Sequence, residues 1–310
     1  MSARRVHRPP PTRRWAWVGL VVALLASACG ATTSSSAADR RPRPIVIGGI
    51  PDQDVSVLRE RFAGIAAELE DRVGIPFRYQ PSVSYVAVVT GFRNEDVLLA
   101  WVGGLTGVQA RLAVDRTEAV AQRPGDAEFR SVFIVGHGVD AESLEDLAGT
   151  TFTFGSESST SGHLMPRLAL RQASIDPESD FTGRPGYSGS HDMTWKLVET
   201  GAFQAGALNQ TVWRSAVDHG KVDTRKVRGV HTTAPYHDYH WVVHPRIDEL
   251  YGEGTTDRIV DALLAMRPQD GERTARTLDL FDTDRFIPTR NDNYDPIAEV
   301  ARDLGLLQGR

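Results

Sequence analysis

The 310-residue chain has one cysteine, Cys29, so an intrachain disulfide is excluded and thiol staples play no part in the fold. It has no apolar run long enough to span a bilayer comfortably; the longest, residues 15–28, is short and ends in small residues. It also lacks basic excess. Residues 4, 5, 8, 13 and 14 are arginines in a basic leader, and without residues 1–28 the count is 30 basic against 40 acidic side chains, about −10 in net charge. A nucleic-acid binder would carry a basic footprint instead. The Gly-x-Ser-x-Gly elbow of a serine hydrolase is missing, and no repeat of short period occurs.

The leader, apolar run and small-residue ending of residues 1–28 read as a secretory signal. Cys29 directly follows, in the position of a bacterial lipoprotein's lipidated cysteine, with Ala26 where that motif usually has Leu. Arg13 and Arg14 also admit the twin-arginine route. Residues 29–44 are Ser/Thr/Ala-rich and then Arg/Pro-rich, the composition of a flexible tether. The chain is therefore expected outside the cytoplasm, held to the membrane by lipid.

From residue 45 the pattern becomes regular. Apolar β runs at 45–47, 75–79, 97–102 and 119–121 alternate with helical spacing at 55–73, 85–92 and 108–114. A strand at 129–135 follows, then a helix at 144–148 and a strand at 151–154. Helices at 192–200 and 211–219 then interleave with strands at 205–208, 227–230 and 241–243. A helical tail covers 257–266, 272–281 and 296–307. Such alternation predicts an α/β fold of open sheets in two halves with a cleft between them.

Ligands of open α/β sheets bind beyond the carboxyl ends of the strands. The residues there are small, hydroxylated or aromatic, with almost no Lys or Arg: Asp52 and Asp54, Ser84 and Tyr85, residues 103–107, Tyr187 to Asp192, Asn209 and Gln210, and Tyr236, Asp238 and Tyr239. The richest is Gly155-Ser-Glu-Ser-Ser-Thr-Ser-Gly162, which leads from a strand into an amphipathic run at 164–172. Helix-start N–H groups lack intrahelical partners and carry a partial positive charge. With Ser158, Ser159, Thr160 and Ser161 they form an anion cradle without a cationic side chain; ordinary capping by Ser and Thr is the alternative. In an acidic chain the anion is expected to be held by such local donors, not drawn by the net field. Pro166 lies close behind, so either the helix begins near His163 or its first turn is distorted.

Two catalytic readings were weighed against this. Ser159, His191 and Asp192 contain the side chains of a hydrolase triad, but His and Asp are adjacent. The histidines 231, 237, 240 and 244 could suggest zinc, yet they fall in loop and strand, where alternate residues face opposite ways. Neither reading is preferred, and no cofactor or metal is expected.

The segments 155–164, 189–192, 101–104 and 235–241 together resemble the phosphonate/phosphite family of ABC-importer solute-binding proteins. Residues 50–54, 101–110 and 154–162 are similar to a branch named for selenate binding, and the resemblance runs over 45–307. It implies a two-lobed periplasmic-binding-protein-like fold of type II: lobe 1 from 45–134 and 236–310, lobe 2 from 135–235. One small oxyanion would sit between them, delivered by a monomeric protein to a membrane permease, with no chemistry performed. It places Ser159, Thr160, Ser161, Tyr85 and His191 at the ligand; Gly104, Thr106 and Asp238, at neighbouring strand ends, are added as candidate ligand contacts. Residues 104–106 depart from the phosphonate binders, which carry a Pro- and Tyr-bearing segment there. Selenate is fully deprotonated at neutral pH and only accepts hydrogen bonds, so a carboxylate aimed at the anion would disfavour it against a protonatable phosphorus oxyanion.

Overall fold

The computed structural model describes residues 43–307; the signal segment, Cys29 and nearly all of the tether lie outside the described residues. The first stretch runs β1 (Ile45–Gly49), α1 (Val55–Val73), β2 (Phe77–Tyr79), α2 (Tyr85–Arg93), β3 (Leu99–Val102), α3 (Gly104–Ala113) and β4 (Glu118–Gln122). The second runs β5 (Ser131–Gly136), β6 (Phe152–Phe154), α4 (Met165–Gln172), β7 (Gly186–Tyr187), α5 (His191–Glu199), β8 (Ala205–Asn209), α6 (Gln210–Asp218) and β9 (Val227–Thr232). The chain ends with β10 (His240–Val243), α7 (Ile247–Tyr251), α8 (Thr255–Ala265), α9 (Glu272–Leu280), β11 (Ile287–Pro288) and α10 (Asp295–Asp303).

Local sequence explains most of these bounds. The α1 helix starts where the Asp54 carboxylate accepts the Ser56 N–H and stops at Gly74, which takes φ 75°, a conformation open to glycine. Its Leu58, Phe62, Ile65 and Leu69 are buried at helical spacing. The structure corrects the expected start of α3: it begins at Gly104, directly after β3, and not at 108. The small residues 103 and 104 hide this start from a periodicity reading, and the place is tight: a Cβ on Gly104 would lie only 3.2 Å from the His237 carbonyl. The expected helix at 144–148 is a single tight turn, Glu145–Leu147. The short elements α7, β7 and β11 have too few residues to show a period.

Two sheets result, ordered β11-β4-β10-β3-β1-β2 and β7-β6-β8-β5-β9. Each repeats one plan. Two parallel neighbours flank the half's first strand, and a strand inserted from beyond a crossing runs antiparallel between the third strand and the fourth. The crossings pair with each other: Phe129 and Tyr236 exchange both backbone hydrogen bonds, at 2.8 and 2.9 Å. One apolar core surrounds the first sheet, around Phe62, Trp101, Trp241 and Phe281. The second sheet has a core on each face. This is the two-lobed periplasmic-binding-protein-like α/β fold.

Candidate functional site

The carboxyl ends of the two sheets face each other, and the strand-end residues named above meet there. On the second lobe the chain leaves β6 and turns at residues 155–162. The Gly155 N–H donates to the Gly162 carbonyl at 2.8 Å. The two glycines nearly touch: a Cβ on Gly162 would lie 3.0 Å from the Gly155 Cα. The Ser159 Oγ caps the following turn by accepting the Gly162 N–H at 2.9 Å. That turn, Thr160–Leu164, is a wide π turn in which Leu164 bonds back to Ser159, and Met165 opens α4 with Pro166 in its first turn. Of the two ways to accommodate Pro166, the distorted first turn is the one observed. Thr160 and Ser161 head this turn, where an N–H has no acceptor of its own, and Ser159, Thr160 and Ser161 are all buried.

Tyr85 opens α2 behind the Ser84 cap. Its hydroxyl is buried without a partner. Burial, with Asp52 and Asp238 nearby, holds the phenol well above its usual pKa, so it remains an O–H donor beside Ser159. His191 opens α5. Its Nδ1 accepts the Asn209 N–H at 3.4 Å and its Nε2 lies 3.3 Å from the Tyr239 hydroxyl, which donates to Asp52 Oδ2 at 2.7 Å. This assigns the ring proton to Nε2. Burial lowers the imidazole's pKa, which leaves it neutral. With both ring nitrogens engaged, His191 makes no hydrogen bond to Ser159, so the hydrolase dyad is not formed.

Asp238 sits at the end of the second crossing, with its Oδ1 accepting the Gly104 N–H at 2.8 Å. A Cβ on Gly103 would stand 2.9 Å from that Oδ1 and 3.2 Å from Thr160 Oγ1, so carboxylate and hydroxyl share one corner. Burial raises its pKa to about 7, against the pull of the Gly104 N–H and the Thr160 and Ser161 hydroxyls. Asp52 Oδ1 and Asp238 Oδ2 are both buried without a partner. Buried polar atoms in folded proteins are nearly always paired, so two orphan carboxylate oxygens beside an orphan phenol mark a site.

Gly104 and Thr106, expected as ligand contacts, engage their donors within the protein. The Gly104 N–H goes to Asp238, and the Thr106 hydroxyl donates to the Ser158 carbonyl at 2.9 Å. The latter bond ties the lobes, as do Leu105 N–H to Thr160 Oγ1 (3.0 Å) and His191 N–H to the Asp52 carbonyl (2.9 Å). Asp192 also serves the lobe contact, accepting the Asp54 N–H at 2.8 Å. The zinc candidates disperse: His240 stacks on Tyr294 at 3.8 Å, His244 packs on Phe92, His231 on Phe133, and His237 reaches toward Gln122. The sequence reading did not foresee the Asp52–Tyr239–His191–Asn209 chain, or Arg61 and Arg123 nearby.

Residues 47–294 match the family model of the phosphonate periplasmic substrate-binding protein of ABC transporters. The chain belongs to this family. Among curated relatives of the family, it is 38% identical over 280 residues to the probable ABC transporter phosphite binding protein PhnD1 of Prochlorococcus marinus, covering 88% of this chain and 94% of that one. It is 26% identical over 222 residues to the phosphate-import protein PhnD of Mycolicibacterium smegmatis, covering 67% and 69%. The solved structure of PhnD1 from Prochlorococcus marinus in complex with methylphosphonate superposes with a TM-score of 0.83 at 39% identity, over 86% of this chain and all of that one. Family membership implies a substrate-binding component of an importer, working outside the cytoplasm. Among the described residues no helix is long and apolar enough to cross a membrane.

Proposed function

We propose that this protein captures a small, protonatable phosphorus oxyanion of the phosphite, methylphosphonate or phosphate class between its lobes and delivers it to the permease of an ABC importer. The observation that carries the reading is the pair of buried carboxylates, Asp52 and Asp238, each with an unpartnered oxygen beside hydroxyl donors. Ser159, Thr160, Ser161 and Tyr85 supply O–H and N–H donors for unprotonated oxygens. A carboxylate across from them accepts a hydrogen bond from a P–OH group. Selenate and sulfate bring no proton, so a buried carboxylate facing them is either left unpaired or must itself take up a proton, and both outcomes cost binding free energy that a P–OH ligand does not lose. A second small anionic solute would need to satisfy the same acceptors.

His191 serves here as a neutral orienting group, and no catalytic step is assigned. We take lobe 1 as 45–134 with 236–310 and lobe 2 as 135–235, with the first boundary moved ahead of β5 (Ser131–Gly136) because that whole strand pairs in the second sheet, and the mature protein as a monomer held at the membrane through a lipid on Cys29, following a signal at 1–28 and a tether at 29–44. The test of specificity is a thermal-shift and calorimetric panel. Phosphite, methylphosphonate and phosphate should raise Tm by mass action, and sulfate and selenate should not. Equal or tighter binding of selenate would overturn the reading.

A further inference from the structure

A cavity of about 310 Å³ opens beside the buried site, with Asp52, Asn209 and Tyr239 in its lining. Arg61 of α1 also lines it and is only 6% exposed. Its Nε donates to the Leu280 carbonyl at 2.7 Å, and its guanidinium carbon lies 5.4 Å from the Phe281 ring centroid. Among the described residues no carboxylate forms an ion pair with it. Arg123 lines the same cavity, but its charge is matched by Asp126, held at 2.8 and 2.6 Å through two nitrogens. The second lobe contributes Lys221 and His219, and Asp279 and Asp282 lie on the lining as well.

A guanidinium keeps its charge at any physiological pH, and Asp52 and Asp282 favour that charge from beyond ion-pair distance, so the Arg61 nitrogens that face the cavity are not taken up by a contact ion pair. The chain is acidic overall, and the inner pocket is lined by neutral donors and carboxylates, so the inner pocket alone does not attract an anion from a distance. We propose that this cavity is an outer anion site, in which Arg61 takes the incoming small oxyanion before it moves to the hydroxyl-lined pocket. The inference rests on the oxyanion function proposed above. The outer site reads charge rather than protonation. Sulfate therefore occupies it, although the inner pocket rejects sulfate.

The test is stopped-flow tryptophan fluorescence with phosphite, with Trp101 on the cavity wall as reporter. Arg61→Gln should lower the association rate constant about five- to tenfold at low ionic strength, within the range of electrostatic steering, and leave dissociation unchanged. Arg61→Lys should restore most of the rate. Sulfate should slow phosphite association to wild type and not to Arg61→Gln. Because Arg61 also packs on Phe281, a second variant carries the opposite sign. Asp282→Asn removes a negative charge from the lining, at a backbone position (φ 54°) that Asn tolerates, and should speed association about twofold. Unchanged association in both Arg61→Gln and Asp282→Asn, or an effect confined to dissociation, would overturn the outer site. Should the wild type bind no phosphite, the function reading fails by itself. Bromide-soaked crystals then decide the outer site: an anion at Arg61 supports it, and none there refutes it.

Discussion

At Asp238, burial raises the carboxyl pKa to about 7 while the Gly104 N–H pulls it down. The unfolded value is about 3.9. Between those values the folded protein binds more protons than the unfolded chain, so this group's contribution to stability is full below about pH 4 and is lost as pH rises through about 7. Ligand-free Tm, other groups aside, should therefore fall between about pH 4 and 7 and level off above that, and Asp238→Asn should flatten that slope. The same substitution removes the acceptor for a ligand P–OH. Phosphite affinity should drop by about 1.5–3 kcal/mol, the scale of a hydrogen bond to a charged group, and sulfate or selenate should begin to bind. Calorimetry showing neither change would place Asp238 away from the ligand. The sequence made the identity of such residues readable because they cluster at strand ends. Their wiring was not: the Tyr239 hydroxyl and Asp52 are 187 positions apart. Arg61, between Leu58 and Phe62 on one helix, has a periodicity that gives no hint of a charge facing a cavity.

The element that concentrates the chemistry is the β6-to-α4 turn, whose anion-binding geometry depends on two glycines in contact. A Cβ on Gly162 would meet the Gly155 Cα and the Ser159 Oγ, both at 3.0 Å. One of these is backbone and cannot swing aside. Gly162→Ala should destabilise the protein by about 1–3 kcal/mol, the cost of overpacking, and weaken oxyanion binding further because the Ser159 cap shifts with it. A chemical-denaturation curve and a phosphite titration check both. Wild-type values in the two would mean that the turn relaxes without disturbing the cradle. At this scale the sequence was informative wherever an element spanned two or more turns or a fully apolar run. It failed for the π turn, since Pro166 signals a disturbed helix start but not which hydrogen bonds replace the lost one.

For the whole molecule, two α/β halves were visible in the alternation of strands and helices, but the exchange of strands between them was not. β5 and β10 each complete a sheet by pairing with strands from a distant part of the chain, and a local pattern carries no information about which edge an apolar run will join. The exchange leaves two crossings that pair at Phe129 and Tyr236, and the lobes meet elsewhere through a few hydrogen bonds and the packing of Leu164 and Met165 against the first lobe's core. Lobes connected in this way suit hinge closure around a ligand. A binding protein outside the cytoplasm must also remain near its permease. Without residues 1–28 the chain carries about −10 net charge, which disfavours electrostatic adhesion to an anionic membrane surface, and the lipid on Cys29 proposed above would supply the attachment instead. Cys29, the chain's only cysteine, stands directly after the apolar run of residues 15–28, which ends in small residues. Cys29→Ser should move the protein from the membrane fraction to the soluble fraction and leave phosphite affinity unchanged, because Cys29 is not among the residues proposed to hold the ligand. Membrane retention of the variant, measured by fractionation and immunoblotting, would remove the lipid anchor.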